Sequence, residues 1–145
     1  MSEVMKLRVD TGAITVEVED EKGNSVGQLE FNPADSNILK RYGAVVDFFN
    51  AVTFDDGLSE DEQIAQMNKL ADDIGAQFDF LLGYPVSESV FHRCGPLSVM
   101  RGGEFFFESV LEGIGGIIEK VTAQRLDKKL KKISKATAAA PKRIK

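Results

Sequence analysis

The spacing of apolar residues changes once along the chain, at Asn32-Pro33, and this change constrains the fold more than any other feature. Upstream of it the period is two. Met5, Leu7 and Val9 alternate with Lys6, Arg8 and Asp10, and Ile14, Val16 and Val18 alternate with Thr15, Glu17 and Glu19. Further on, Leu29 and Phe31 flank Glu30. Strand geometry sends such a set of side chains to one face of a sheet. Asp20-Glu21-Lys22-Gly23-Asn24 has the composition of a turn, so Ile14–Glu19 and Val26–Phe31 are expected to form a hairpin. With Thr11-Gly12 as a second turn, residues 5–31 read as a three-stranded antiparallel β-meander. A sheet that small needs helices packed on it to be stable.

Downstream the period becomes helical. Asn32 suits an N-cap and Pro33 the first helical position, where a missing N–H costs nothing. Ile38, Tyr42, Val45, Val46 and Phe49 follow at helical spacing, and Phe54-Asp55-Asp56-Gly57 reads as a loop. Ser59 and Glu62 match a capping box that opens a second helix, with Ile64, Met67, Ala71, Ile74, Phe78, Leu81 and Leu82 on its apolar face. That helix should end near Gly83-Tyr84-Pro85. A short helix over 87–93, capped by Ser87, is expected next, before Gly95-Pro96. The last helix carries Phe106, Phe107, Val110, Leu111, Ile114, Ile117, Ile118 and Val121, and continues through Leu126, Leu130 and Ile133 among lysines. The fold class is therefore α+β: a small N-terminal β-meander, then three to four α-helices, the last long and basic at its end.

Charge divides the chain. From Arg125 to Lys145 there are nine basic residues and one acidic, a net of +8, which leaves −13 for residues 1–124 out of the total of −5. Such a split marks a segment with its own binding preferences. The expected organisation is a single α+β domain over 1–124, its helical part at 33–121, and a basic C-terminal extension over 125–145 that is disordered from about 136. No apolar run approaches the roughly 20 residues that cross a bilayer. The opening residues lack the apolar stretch of a secretory signal, and the single cysteine cannot form an internal disulfide, so a cytoplasmic location is expected.

Residue patterns that carry chemistry are wanting. His92-x-Cys94 supplies two ligands where a structural zinc needs four, and as a nucleophile–base pair it has no orienting group. Gly57 or Gly23, taken as the sixth residue of a calcium loop, puts Val52 or Val18 at the first ligand position. Gly113-Ile114-Gly115-Gly116 lacks the third glycine of a dinucleotide loop, because position 118 is Ile, and no Lys-Ser/Thr follows. Its glycines read instead as a place where another helix approaches closely or where the helix bends. There is no Gly-x-Ser-x-Gly elbow. The expectation is a protein that is not an enzyme and carries no cofactor and no metal. The lysines would favour nucleic acid through counterion release, but the acidic body repels it and the extension has no aromatic residue for stacking.

Binding to protein is the remaining class. Candidate partner-binding residues are Phe105, Val110, Leu126, Leu130 and Ile133, with Lys128, Lys129, Lys131 and Lys132 around them. Lysine pairing with the acidic body of a second copy would give self-association.

The order of features resembles the small tail assembly chaperones of long-tailed phages and prophages of Gram-positive bacteria. The likeness covers roughly residues 5–121. It rests on a β-rich start, then Asn32-Pro33-Ala34-Asp35 and Ile38-Leu39-Lys40-Arg41-Tyr42, then Phe78-Asp79-Phe80-Leu81-Leu82-Gly83 closing an acidic helix. Ser87-Glu88-Ser89-Val90-Phe91 and the helix opened by Phe105-Phe106-Phe107 follow. The resemblance implies a bacteriophage protein of the host cytoplasm, not retained in the mature virion. Such a protein binds the tape measure protein and helps recruit tail tube protein during viral tail assembly. The family is commonly encoded with a longer, frameshifted version. The alternatives are a structural virion tail or connector subunit, and a basic-tailed nucleic-acid-binding regulatory protein.

Overall fold

The computed structural model describes residues 3–139, with side chains through Ser134. Two strands come first, β1 (Ile14–Glu19) and β2 (Ser25–Phe31), followed by four helices: α1 (Ser36–Asn50), α2 (Glu60–Leu82), α3 (Ser87–Val90) and α4 (Phe106–Ala139). The class is α+β, and the last helix is the longest, at 34 residues.

The strands form an antiparallel hairpin with Ile14 opposite Phe31, Val16 opposite Leu29 and Glu17 opposite Gln28. The turn is organised by Asp20, whose Oδ1 accepts the N–H groups of Lys22 and Asn24, each at 2.9 Å. The inner face delivers Leu29 and Phe31 to the core, and the outer face exposes Thr15, Glu17, Glu19 and Glu30. Gln28 turns its N–H away from β1 to Ser89 Oγ at 3.3 Å, and the Arg93 guanidinium donates to the Ser25 carbonyl at 3.2 Å. The far edge of β2 is therefore covered by α3 and the residues after it.

The expected third strand does not form. Residues 3–10 have no regular structure, and Met5, Leu7 and Val9 are 90, 90 and 65 % exposed. The intended turn is used otherwise. Asn32 Nδ2 donates to the Thr11 carbonyl at 2.6 Å, and Arg125 Nη2 donates to the Gly12 carbonyl at 2.8 Å. Gly12 has φ +82°, and a Cβ there would stand 2.5 Å from the Arg125 guanidinium, so only glycine fits. The chain is held at 11–12 by these contacts, and the preceding segment pairs with neither strand.

Asn32 also accepts Arg125 Nη1 at 2.8 Å and the Ala34 N–H at 3.1 Å on Oδ1. It caps a turn rather than a helix. The helix cap falls to Asp35, which accepts the Asn37 N–H at 2.9 Å, so α1 begins later than Pro33 suggests. Pro33 is fully buried, and its carbonyl accepts Thr122 Oγ1 at 3.1 Å. These contacts lock α4 against the strand-to-helix junction.

The capping box at Ser59 and Glu62 is present, and α2 closes on Gly83 with φ +76°. The turn into α3 is held by Asp79, not by Ser87 as a cap. Its carboxylate accepts the N–H groups of Val86 and Ser87 at 2.8 and 2.7 Å and the Ser87 hydroxyl at 2.9 Å. The α4 N-terminus rests on the loop before it, where the N–H groups of Phe106 and Phe107 reach the carbonyls of Ser98 and Pro96. Inside, Ile74, Phe78, Leu81 and Leu82 of α2 meet Leu29, Phe31, Ile38, Val45, Val90 and Phe106. A run of phenylalanine contacts links the helices: Phe107 to Phe49 at 4.9 Å, Phe49 to Phe78 at 6.4 Å, Phe78 to Phe91 at 5.1 Å and Phe91 to Phe106 at 6.0 Å.

Two outcomes follow. Asn32→Ala and Arg125→Ala should each cost about 1.5–3 kcal/mol, because both remove hydrogen bonds involving a charged donor. The double variant should cost clearly less than their sum, as chemical denaturation of the four proteins would show; additivity would mean the contact does not couple the two elements. The N–H groups of Asn24 and then Lys22 hold the Asp20 carboxyl below its ordinary value of 3.8. The lowered value favours the folded hairpin when Asp20 is ionised. That contribution is full above about pH 3.8 and is lost as pH falls through the lower, folded value. A carboxyl-carbon NMR titration should place the Asp20 midpoint below 3.8; a midpoint at or above it would remove the role given to these two bonds.

Candidate functional site

The candidate binding residues separate into two groups along α4. Val110 is in the core at 7 % exposure and lines a groove beneath the hairpin. Phe105 is half-buried just before the helix, 6.0 Å from Phe107 and 6.3 Å from Phe54 between ring centres. Leu126 lies 21 positions further on, about 30 Å along a helix rising 1.5 Å per residue. The structure does not bring Phe105 and Val110 together with Leu126, Leu130 and Ile133.

The second group makes a continuous surface. Leu126, Leu130 and Ile133 fall at i, i+4 and i+7, on one side of α4, and are 55, 62 and 48 % exposed. All residues from Leu126 to Ser134 are exposed, so this part of α4 extends beyond the body. Leu126 is also the outer end of an apolar groove of about 440 Å³ between α1 and α4, with Ile38, Leu39, Tyr42 and Ile118 among its walls. Leu39 and Tyr42 are 73 and 49 % exposed. An apolar strip therefore runs from the body onto the extending helix.

Lys128, Lys129, Lys131 and Lys132 are all exposed. At about 100° per residue, Lys129 borders this strip, Lys131 and Lys132 lie well round the helix from it, and Lys128 is on the opposite face. Lys131 pairs with Asp127 at 3.1 Å, a helical i,i+4 contact of small energetic weight. Arg125 had been grouped with the basic extension by charge. Its two hydrogen bonds, to Asn32 and to the Gly12 carbonyl, tie it to the folded body. Residues 136–139, expected to be disordered, are the last turn of α4, and 140–145 lie outside the described residues.

Gly113, Gly115 and Gly116 were expected to admit a close helix or a bend. A Cβ at any of the three would meet nothing within 4 Å. Gly115 instead lines the groove beside Ile38 and Tyr42. Of the residues considered for metal or nucleophilic chemistry, His92 is exposed and Cys94 is half-buried in the wall of the groove beneath the hairpin. Among the described residues no group of three or more His, Cys, Asp or Glu side chains is placed to hold a metal ion, and no helix is long and apolar enough to cross a membrane.

Sequence reasoning missed Leu39 and the groove at Tyr42. The signal was available, since Leu39 and Tyr42 are spaced i, i+3, but Tyr42 was assigned to the buried face with Ile38.

Leu130→Asp and Ile133→Asp should each change unfolding free energy by less than about 0.5 kcal/mol, as surface substitutions do. Val110→Asp, by contrast, should prevent folding. A large loss of stability in the first two, measured by thermal or urea unfolding, would mean that this face is already covered. Compared with protein-family models, curated proteins and solved structures, the chain matches none.

Proposed function

We propose that this protein is a non-enzymatic phage tail assembly chaperone. It would bind the tape measure protein in the cytoplasm of the host bacterium, help recruit tail tube subunits, and leave before the virion matures. The observation that carries the reading is the apolar strip Leu39–Tyr42–Leu126–Leu130–Ile133, exposed on a helix that is otherwise rich in lysine. A strip of this kind suits an amphipathic helix of a partner, with anchors at i, i+4 and i+7. The lysines of this arm favour an acidic partner helix by long-range steering, with Lys129 placed to pair at the border of the strip. The order of motifs that resembles the chaperone family supports the same reading. Physical roles can now be attached to one of those motifs: in Phe78-Asp79-Phe80, Phe78 fills the core, Asp79 holds the turn to α3, and Phe80 lies 5.7 Å beneath the Arg41 guanidinium.

The test is affinity capture from phage-producing cells followed by mass spectrometry, with three baits: the full chain, a chain ending at Arg125, and Leu130→Asp/Ile133→Asp. Ending at Arg125 keeps the contacts to Asn32 and Gly12. The full chain should recover a long helical tail protein, and the two variants should recover at least ten-fold less. Purified virions should lack the protein. Its presence there in fixed stoichiometry would favour a structural tail or connector subunit. Recovery of nucleic acid in place of tail protein, lost with the lysine-bearing segment, would favour the regulatory reading.

A further inference from the structure

We infer that residues Met5–Val9 form the third strand of the sheet in a second copy of this chain, so that two copies exchange strands. The inference stands apart from the chaperone reading. It starts from two unfilled features. The first is the outer edge of β1. Because Gln28 points its N–H away from β1, the Glu17–Gln28 pair is a non-hydrogen-bonded one, and Glu17 turns its own N–H and carbonyl to the free edge. Among the described residues, no hydrogen bond covers that edge. The second is the groove of about 520 Å³ beneath it, between Val16 and Val18 on one side and Val110, Ile114 and Ile117 of α4 on the other.

The segment Met5–Val9 is complementary to both. A strand added beside β1 continues the pleat, so alternate side chains face the groove and the solvent. Met5, Leu7 and Val9 would then enter the apolar groove, which now leaves them 65–90 % exposed. Lys6 and Arg8 would fall on the outer face, where β1 presents Glu17 and Glu19. Reversing the order of apolar and charged positions would destroy both matches at once. An exposed strand edge and an unpaired alternating segment are the two halves of a β-addition interface.

The second copy, rather than the same chain, is the donor because of Thr11 and Gly12. Folding back onto the same β1 requires a reversal at residues 10–13. In the single chain Thr11 and Gly12 are bonded to Asn32 and Arg125, and Met5–Val9 stays off this edge, with Met5, Leu7 and Val9 65–90 % exposed. Reciprocal exchange about a two-fold axis satisfies both edges.

Cys94 is the only cysteine and lines the groove, so it serves as a reporter. Met5→Cys, Leu7→Cys and Val9→Cys would be made singly in the full chain, oxidised, and run on non-reducing gels, each with and without Cys94→Ala. At least one should give a disulfide-linked dimer that requires Cys94, and Lys6→Cys should not. Sedimentation should show the unmodified chain as a dimer. Lys6→Glu/Arg8→Glu should weaken that dimer on the order of ten-fold, since two attractive cross-strand pairs become repulsive. Adding Glu17→Lys/Glu19→Lys should restore it. A Cys94-dependent disulfide within one chain overturns the exchange and returns the strand to its own sheet. A monomer at all concentrations, or a dimer indifferent to the charge reversal and without a Cys94-dependent link, overturns the inference altogether.

Discussion

The fold turns on one hydrogen-bonded junction, Asn32 with Arg125. Asn32 sits where the hairpin gives way to helices, and Arg125 sits where α4 leaves the body, 93 residues later. Through Asn32 Nδ2 and Arg125 Nη2 the same pair holds Thr11 and Gly12. Three regions with no sequence proximity are thereby fixed at one point. A guanidinium is suited to the task because two of its N–H groups serve two acceptors at fixed angles, which an ammonium does not do. Thr122 and Pro33 add a second contact a turn away. Together they set the line on which α4 crosses the body, and with it the placement of Phe106, Val110 and Ile114 against the sheet and α2.

Much of this architecture was legible in the sequence because it is local. Asp20 through Asn24 announce a turn, Ser59 and Glu62 announce a helix start, and the spacing of Ile74, Phe78, Leu81 and Leu82 announces a buried face. Each of these signals lies within a few residues of the structure it produces. What failed was of another kind. Asn32 looked like a helix cap and is a tertiary junction. Asp79 gave no sign of holding the N–H groups of Val86 and Ser87, because side-chain bonds to distant backbone leave no periodic trace. Arg125 was counted as one charge among many.

The third strand failed for a more instructive reason. Alternation at Met5, Leu7 and Val9 states which side chains gain from burial, not whether anything within the same chain covers them. The glycines of α4 are similar. Gly113, Gly115 and Gly116 suggested a close neighbour or a bend, yet a Cβ at each would meet nothing within 4 Å. At the candidate site, Leu126, Leu130 and Ile133 were recognisable because apolar residues among lysines conflict with a solvated surface. The groove beside them was not, since Leu39 and Tyr42 become neighbours of Leu126 only after α1 and α4 pack.

The continuity of α4 from Phe106 to Ala139 makes body and extension one mechanical piece. A basic extension joined by a flexible linker would hold its target only by raising its local concentration, and would leave orientation free. A helix that runs 14 residues past Arg125 is instead a stiff arm about 20 Å long. Whatever binds its apolar edge is held at a set distance and a set rotation relative to the sheet and the core. Much of the ordering entropy of that arm is already spent in folding, so contact with a partner loses less of its energy to alignment.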